Sequence, residues 1–285
     1  SRDRDGRASM AAESEELTNE PDSSQVDEAI TRTALSCQND EASELVRWSA
    51  ALAFSTDEQG CEQLLDSSGT QVMMEWERPY MVRCIDTLRI SSDCDVLEVG
   101  FGCGYSADRV QRSNPRSHTI VECSEPVLSR LREWASDKPS VRVVDGTWQA
   151  RLPDLGEFDR IFFDDFGAAG MSEREMMEAC PRADYCSEYK AARNHFAAFI
   201  NICLRWHMRE GALMSGYLVQ PFSLDNRFDA SLRMERMPVR PAPSCHYFHD
   251  TVALVPCIEK LSGSADGDQD STAQMHTSKR RRTDH

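Results

Sequence analysis

The chain has 285 residues, of which 40% are hydrophobic, and its formal net charge is −16 at pH 7. This length allows one substantial core or two small ones, and the negative charge argues against nucleic acid or an anionic membrane as a partner. No apolar run approaches the roughly 20 residues that span a bilayer, and the polar N-terminal stretch does not have the pattern of a signal peptide.

Both ends of the chain are polar and contain few large apolar side chains. We expect residues 1–43 and 262–285 to be disordered, because such segments bury too little surface to offset their ordering entropy. The basic cluster Lys279–Arg282 is typical of either a nuclear-localisation signal or a solvated tail. The eleven cysteines, an odd and scattered set, favour reduced thiols in a cytoplasmic protein. Residues 44–261 are expected to form one folded domain.

Strands and helices alternate along this domain. The alternation predicts an α/β fold with a mostly parallel twisted sheet and helices on both faces. The predicted elements, in chain order, are strand Asp95–Val99, helix Ser106–Arg112, strand His118–Glu122, helix Glu125–Trp134, strand Val141–Val144, strand Asp159–Asp164, helix Ala191–Met208, strand Ala212–Tyr217 and two antiparallel strands, Ser244–Phe248 and Val252–Val255.

A cluster of unusual composition, Met73–Met81, precedes the sheet. It holds two carboxylates, two aromatic residues and three methionines. Glu77 could reach over a cofactor pocket whose wall is formed by Trp76 and Tyr80. Spacing alone favours an amphipathic helix that packs on the sheet and leaves its charges in solvent.

A glycine-rich turn follows the first predicted strand. Gly100, Gly102 and Gly104 allow the backbone to turn sharply and to approach a ligand closely. Their spacing is tighter than the G-x-G-x-x-G of dinucleotide folds. Together with Glu98 they form E-x-G-x-G-x-G, which resembles the first motif of S-adenosylmethionine (SAM)-dependent methyltransferases. A glycine turn without a ligand is the alternative.

Carboxylates end two further strands. Ligands of open α/β sheets bind at the carboxyl ends of the strands, where Glu122 and Asp164 are expected. Glu122 lies 22 positions after Gly100, close to the roughly 20-residue offset of a carboxylate that binds ribose hydroxyls; a solvated strand-end charge is the alternative. Thr147 and Trp148 follow the third strand, where an adenine ring is expected, and Trp148 either stacks on that ring or belongs to the core.

Several segments together resemble the guanidinoacetate N-methyltransferase family. They carry the motifs W-E-x-P-Y-M, L-E-V-G-F-G and R-L-R-E-W-A in the family's order. The resemblance spans about Trp48 to Lys260, and the segments that carry it are Val72–Met81, Asp95–Tyr105, Val121–Ala135 and Phe158–Phe166, with weaker similarity over Phe199–Gly211 and Cys245–Phe248.

This resemblance implies a Rossmann-like class I methyltransferase with an N-terminal lid and with SAM as its cofactor. It also implies transfer of a methyl group to the guanidino nitrogen of guanidinoacetate or a similar small compound, the creatine-forming type of reaction. Glu77 and Asp164 match the carboxylates that hold the guanidinium, with Asp164 as the general base, and Met73 matches a residue that lines the acceptor. The matching cofactor residues are Trp48, Met81, Gly100, Phe101, Gly102, Cys103, Gly104, Tyr105, Ser106, Glu122, Cys123, Ser124, Thr147, Trp148 and Asp164.

The chain also departs from the family pattern near the expected acceptor. Asp165 replaces a threonine, Phe166 replaces a tyrosine, and Gln220-Pro221 replaces small hydroxyl residues. The acceptor therefore stays open among guanidino compounds. A protein arginine N-methyltransferase and a SAM-binding protein without catalysis are the alternative functions.

No metal is expected, because Cys180 and Cys186 have no histidine at a matching spacing: His195 and His207 do not fit. Structural thiols in a variable loop explain these cysteines better. We expect a small-molecule guanidino substrate, no nucleic-acid or membrane partner, and a monomer or weak dimer.

Overall fold

The structure is a computed structural model that describes residues 52–165, 182–192 and 195–262. Trp48, Phe166, Cys180 and the side chain of Cys186 lie outside the described residues, as do both predicted tails apart from residue 262. The lid expected from the resemblance begins near Trp48 and stays a prediction. Within the described ranges, no helix combines the length and the apolar character that crossing a membrane requires.

A small antiparallel sheet opens the described chain. Its strands are β1 (Ala53–Thr56), β2 (Glu62–Leu65) and β3 (Gln71–Met74), in the order β1-β2-β3. A 3-10 turn (Glu75–Glu77) and helix α1 (Arg78–Thr87) follow directly. The amphipathic helix favoured for Met73–Met81 is therefore wrong in its first half. Met73 and Met74 pair with β2 instead, and the helix begins only where Pro79, which has no N–H to lose, suits the first turn.

The main sheet has seven strands in the order β6-β5-β4-β7-β8-β10-β9. The first five in this order are parallel, and β10 runs antiparallel to both β8 and β9. The predicted α/β architecture is thus confirmed. The strands are β4 (Asp95–Val99), β5 (Ser117–Glu122), β6 (Val141–Asp145), β7 (Phe158–Phe163), β8 (Met208–Gly216), β9 (Ala230–Pro238) and β10 (Val252–Lys260).

Helices cover both faces of this sheet and bury two hydrophobic clusters. Successive residues of β4 point to opposite faces, so Val96 enters one cluster while Leu97 and Val99 enter the other. This two-sided burial explains why β4 carries apolar residues on both of its faces. The helices are α2 (Tyr105–Gln111), α3 (Glu125–Ala135), α4 (Trp148–Arg151), α5 (Ala183–Ala191) and α6 (His195–Trp206).

After β7 the structure differs from the predicted elements in three places. The helix expected over Ala191–Met208 covers only His195–Trp206, because Met208 already begins β8. Ser244–Phe248 is not a strand; Phe248 instead packs against the Trp76 ring at 5.3 Å between centroids. Strand β9 was missed because it is an edge strand with mostly exposed side chains and therefore lacks an apolar pattern.

Candidate active site

The carboxyl ends of the parallel strands bring the predicted residues to one edge of the sheet. Backbone hydrogen bonds continue past the strands: Gly100 N donates to Val121 O (2.9 Å) and Asp164 N donates to Val99 O (2.9 Å). Tyr217, just after β8, donates from its N–H to Phe163 O (3.0 Å). The glycine turn, Asp164 and Tyr217 therefore lie side by side.

The glycine turn is a tightly packed cradle. Gly100, Gly102 and Gly104 have φ values of +84°, +52° and +83°, a region that other residues rarely adopt. A Cβ on Gly100 would lie 2.0 Å from Asp164 O, and one on Gly102 would lie 2.6 Å from Met73 Sδ. Met73 Sδ also accepts a hydrogen bond from Cys103 N (3.2 Å), so strand β3 is attached to the turn. At Gly100 a side chain would clash with backbone, and at Gly102 it would be strained by the positive φ and would displace the Met73 side chain.

Glu122 fastens the turn to the end of β5. Its Oε2 accepts from Phe101 N (2.9 Å), and its Oε1 accepts from Cys123 N and Ser124 N (both 2.8 Å). Burial raises the pKa of the Glu122 carboxyl, and these three N–H groups oppose that rise. A carboxylate has about four acceptor positions, so one is left for a hydroxyl such as that of a ribose.

Trp148 has the surroundings of a core residue. It is 2% exposed, and Phe163 and Phe199 meet its ring edge-on at 5.9 and 5.0 Å between centroids. Its Nε1 donates to Asp165 Oδ2 (2.7 Å), and the Thr147 hydroxyl caps helix α4. This arrangement favours the core alternative for Trp148, and its contact with an adenine stays a prediction.

Most of the other predicted cofactor residues within the described ranges are buried, and two of their hydroxyls already have protein partners. Tyr105 Oη donates to Glu62 Oε2 (3.0 Å). Ser106 Oγ donates to Glu98, whose other oxygen pairs with His118 Nε2 (2.7 Å). These hydroxyls attach helix α2 to strand β2 of the small sheet and to strand β4 of the main sheet. The buried members of this set are Met81, Phe101, Cys103, Tyr105, Ser106 and Ser124.

Glu77 lies at the start of helix α1 and is 2% exposed. Its Oε1 accepts hydrogen bonds from Met74 N (2.9 Å) and from the Tyr247 hydroxyl. Its Oε2 receives no hydrogen bond from the part of the chain that the structure describes. One carboxylate oxygen is thus fixed by protein, and the other is available.

Glu77 and Asp164 are two buried carboxyls with raised proton affinity, and no cation from the described residues compensates them. Burial and the nearby Asp164 raise the pKa of Glu77 to about 8. Burial, followed by Asp165, raises the pKa of Asp164 to about 7. Within residues 52–165, 182–192 and 195–262, no Lys or Arg forms an ion pair with either carboxylate. Such a pair can hold a cation between its members and can exchange a proton near neutral pH.

The site also contains two tyrosines, Tyr247 and Tyr217, that were not predicted as site residues from the sequence. Tyr247 was placed in a predicted strand, although its segment belonged to the family resemblance, and that resemblance was the available signal. Tyr217 had no signal in spacing or composition. Asp164 and Tyr217 also line one wall of a cavity of about 1570 Å³ that extends to His195 and Asn201 on helix α6. No cluster of three potential metal ligands occurs among the described side chains.

In comparisons with known proteins, the matching family model and the curated relatives are all N-methyltransferases. The guanidinoacetate N-methyltransferase family model matches residues 38–177. The protein arginine N-methyltransferase 2 of Aspergillus oryzae is 35% identical over 119 residues, which are 40% of this chain and 29% of that protein. The protein of that name from Eremothecium gossypii is 38% identical over 104 residues, 33% of this chain and 25% of that protein. The aligned stretch spans less than a third of the length of these relatives.

Solved structures support the fold. Spermidine synthase from Thermotoga maritima has a TM-score of 0.50 and 15% identity, and the match covers 73% of this chain and 69% of that one. The residues of the chain itself fit SAM, because the glycine cradle excludes side chains and Glu122 retains an acceptor position beside it. Residues 38–177, about half of the chain, thus match the guanidinoacetate N-methyltransferase family, which is a family of SAM-dependent methyltransferases.

Proposed function

We propose that the protein transfers a methyl group from SAM to a guanidino nitrogen of guanidinoacetate or a similar small compound. The pair of buried carboxylates, Glu77 and Asp164, is the observation that carries this proposal. Guanidinium is planar, and carboxylates bind its edges through charge-assisted hydrogen bonds. Such an acceptor supplies the positive charge that the described surroundings of the pair lack.

The two carboxylates have different tasks in this proposal. A protonated guanidinium has little available lone-pair density, so one proton must leave as the nitrogen attacks. Asp164, with a pKa of about 7, is a better base than an ordinary carboxylate and takes this proton. Glu77 fixes the plane of the guanidinium through Oε2, since Met74 and Tyr247 already hold Oε1.

SAM, when bound, supplies a methyl group on a positively charged sulfur that is a good leaving group. Much of the acceleration then comes from orientation, because the acceptor nitrogen must point at the methyl carbon. The turn at Gly100–Gly104 and the carboxylate of Asp164 belong to one rigid unit, in which Gly100 packs directly on the Asp164 carbonyl. The distance and orientation between the glycine turn and the Asp164 carboxylate are thereby fixed.

Methylation of an arginine side chain in a protein is the second candidate. The name of the curated relatives, protein arginine N-methyltransferase 2, favours it. The same two carboxylates would serve, since an arginine side chain ends in the same flat cation. The two candidates differ in what must fit around the guanidino group: a small acid in one case and a polypeptide in the other.

Product identification by mass spectrometry decides between them. Purified protein and labelled SAM are incubated with one acceptor at a time: guanidinoacetate, another guanidino acid or a protein extract. We expect label in a small guanidino product. Label in protein alone would favour the second candidate, and SAM binding without any product would indicate a binding protein without catalysis.

The role of Asp164 is tested with Asp164→Asn. We expect this variant to abolish transfer while SAM affinity stays within about tenfold (~1.4 kcal/mol) of the original. Asp137→Asn is the matched control, because the Asp137 side chain is 80% exposed. Near-normal turnover of Asp164→Asn would exclude the proposed base.

A further inference from the structure

Tyr217 carries a buried hydroxyl that the rest of the described structure does not use. Its Oη is inaccessible to solvent and has no hydrogen-bond partner there. A buried hydroxyl without a partner loses its hydration and gains nothing in return, so such groups are rare in folded proteins and call for an explanation. A ligand that completes the hydrogen bonding is one explanation.

The Tyr217 ring is held firmly in place. It meets the Tyr80 ring edge-on at 5.7 Å between centroids. Tyr80 is itself fixed at its hydroxyl, which donates to Leu254 O (2.7 Å) and accepts from Leu218 N (3.0 Å). The backbone of Tyr217 is fixed by its bond to Phe163 O (3.0 Å). Its hydroxyl therefore has a set position that no partner among the described residues explains.

Tyr217 lies near the carboxylate pair. Tyr217 and Asp164 line the same cavity, and both follow neighbouring parallel strands at the same edge of the sheet. Burial raises the pKa of the Tyr217 phenol, and the charges of Glu77 and Asp164 raise it further. The phenol therefore stays neutral at any working pH, so it can donate or accept a hydrogen bond but cannot serve as a base.

We propose that the Tyr217 hydroxyl is a third contact to the acceptor, its oxygen accepting an N–H of the guanidino group that Glu77 and Asp164 hold. The proposal rests on the proposed function and adds a residue to it. Two carboxylates occupy two edges of a guanidinium, and a neutral oxygen suits the third side because it adds no further negative charge. The contact restricts rotation of the group and helps to select the nitrogen that faces the methyl donor.

The test is Tyr217→Phe, which removes one oxygen and keeps the ring on Tyr80. We expect kcat/KM for the guanidino acceptor to fall at least tenfold, with SAM affinity unchanged. The melting temperature of the free protein should stay the same or rise, because the unpartnered hydroxyl is gone. Tyr80→Phe is the contrasting variant: its hydroxyl has two partners, so its loss should lower the melting temperature.

A second readout separates this inference from the proposed function. Calorimetry measures guanidinoacetate binding to the protein saturated with S-adenosylhomocysteine, the demethylated product. Weaker binding to Tyr217→Phe supports the contact even if the original protein shows no turnover, in which case only the proposed function fails. Equal kcat/KM and equal binding of Tyr217→Phe and the original protein would overturn the contact. If the original protein neither binds nor methylates the acceptor, both proposals fall.

Discussion

Glu77→Gln should change how the stability of the free protein depends on pH. The amide keeps a carbonyl oxygen that can accept from Met74 N and from the Tyr247 hydroxyl, as Oε1 does now. What it removes is the ionisation of a carboxyl whose pKa is raised from 4.5 to about 8 in the folded protein. The substitution therefore removes the ionisation of this side chain while keeping its size and its accepted hydrogen bonds.

The sign follows from the raised pKa. The folded state binds the Glu77 proton more tightly than the unfolded state, so this group stabilises the fold below about pH 4.5, and that stability is lost as the pH rises through about 8. Each pH unit between the two values removes about 1.4 kcal/mol. The loss between pH 5 and pH 8 is thus roughly 3 to 4 kcal/mol in the original protein, slightly less than three full units because Glu77 is only half ionised at pH 8. Asp164 adds a loss of the same sign.

Urea unfolding without SAM, followed by tryptophan fluorescence at pH 5, 6.5 and 8, measures this effect. We expect the free energy of unfolding of Glu77→Gln, relative to the original protein, to increase by roughly 3 to 4 kcal/mol from pH 5 to pH 8. Glu235→Gln is the matched control: Glu235 is partly exposed and paired with Arg83, so its effect should stay within about 1 kcal/mol. A constant difference between Glu77→Gln and the original protein at all three pH values would refute the reasoning.

Three further changes test other parts of the site. Gly102→Ala places a Cβ 2.6 Å from Met73 Sδ at a positive φ, so calorimetry should show SAM affinity at least tenfold weaker; Gly156→Ala, with open space around it, should bind normally. Glu122→Gln loses a carboxylate oxygen that fastens the glycine turn, and we expect a higher dissociation constant for SAM, whereas unchanged binding would contradict the ribose role. Tyr247→Phe removes a hydrogen bond that lowers the pKa of Glu77, so the acidic limb of kcat/KM against pH should move to higher pH; a limb that stays in place would show that Glu77 does not control it.

Local patterns accounted for much of the fold. Strand β4 was predicted with its observed bounds, since an apolar strand followed by a glycine turn is a short-range signal. The spacing between Gly100 and Glu122 could be interpreted from the sequence because a single strand–helix–strand unit determines it. Helices α2 and α3 and strands β5 to β7 were predicted to within a few residues.

Weakly patterned segments were the ones that sequence reasoning missed. Edge strand β9 has mostly exposed side chains, and the strand at Gln71–Met74 is only four residues long. The sequence of Ser244–Phe248 resembles an antiparallel strand, yet its aromatic side chains pack on Trp76 instead of joining the sheet. Burial against Trp76, in the 3-10 turn far away along the chain, decided that outcome.

The sequence by itself determined the alternating architecture, the glycine cradle and the carboxylates at the strand ends, because each depends on residues close together along the chain. Only the tertiary structure decided how Glu77 is placed. Its hydroxyl partner, Tyr247, is 170 positions away, and the unpartnered hydroxyl of Tyr217 enters the same site from the end of β8. Such contacts depend on how strands and helices pack, and no spacing in the sequence records that packing.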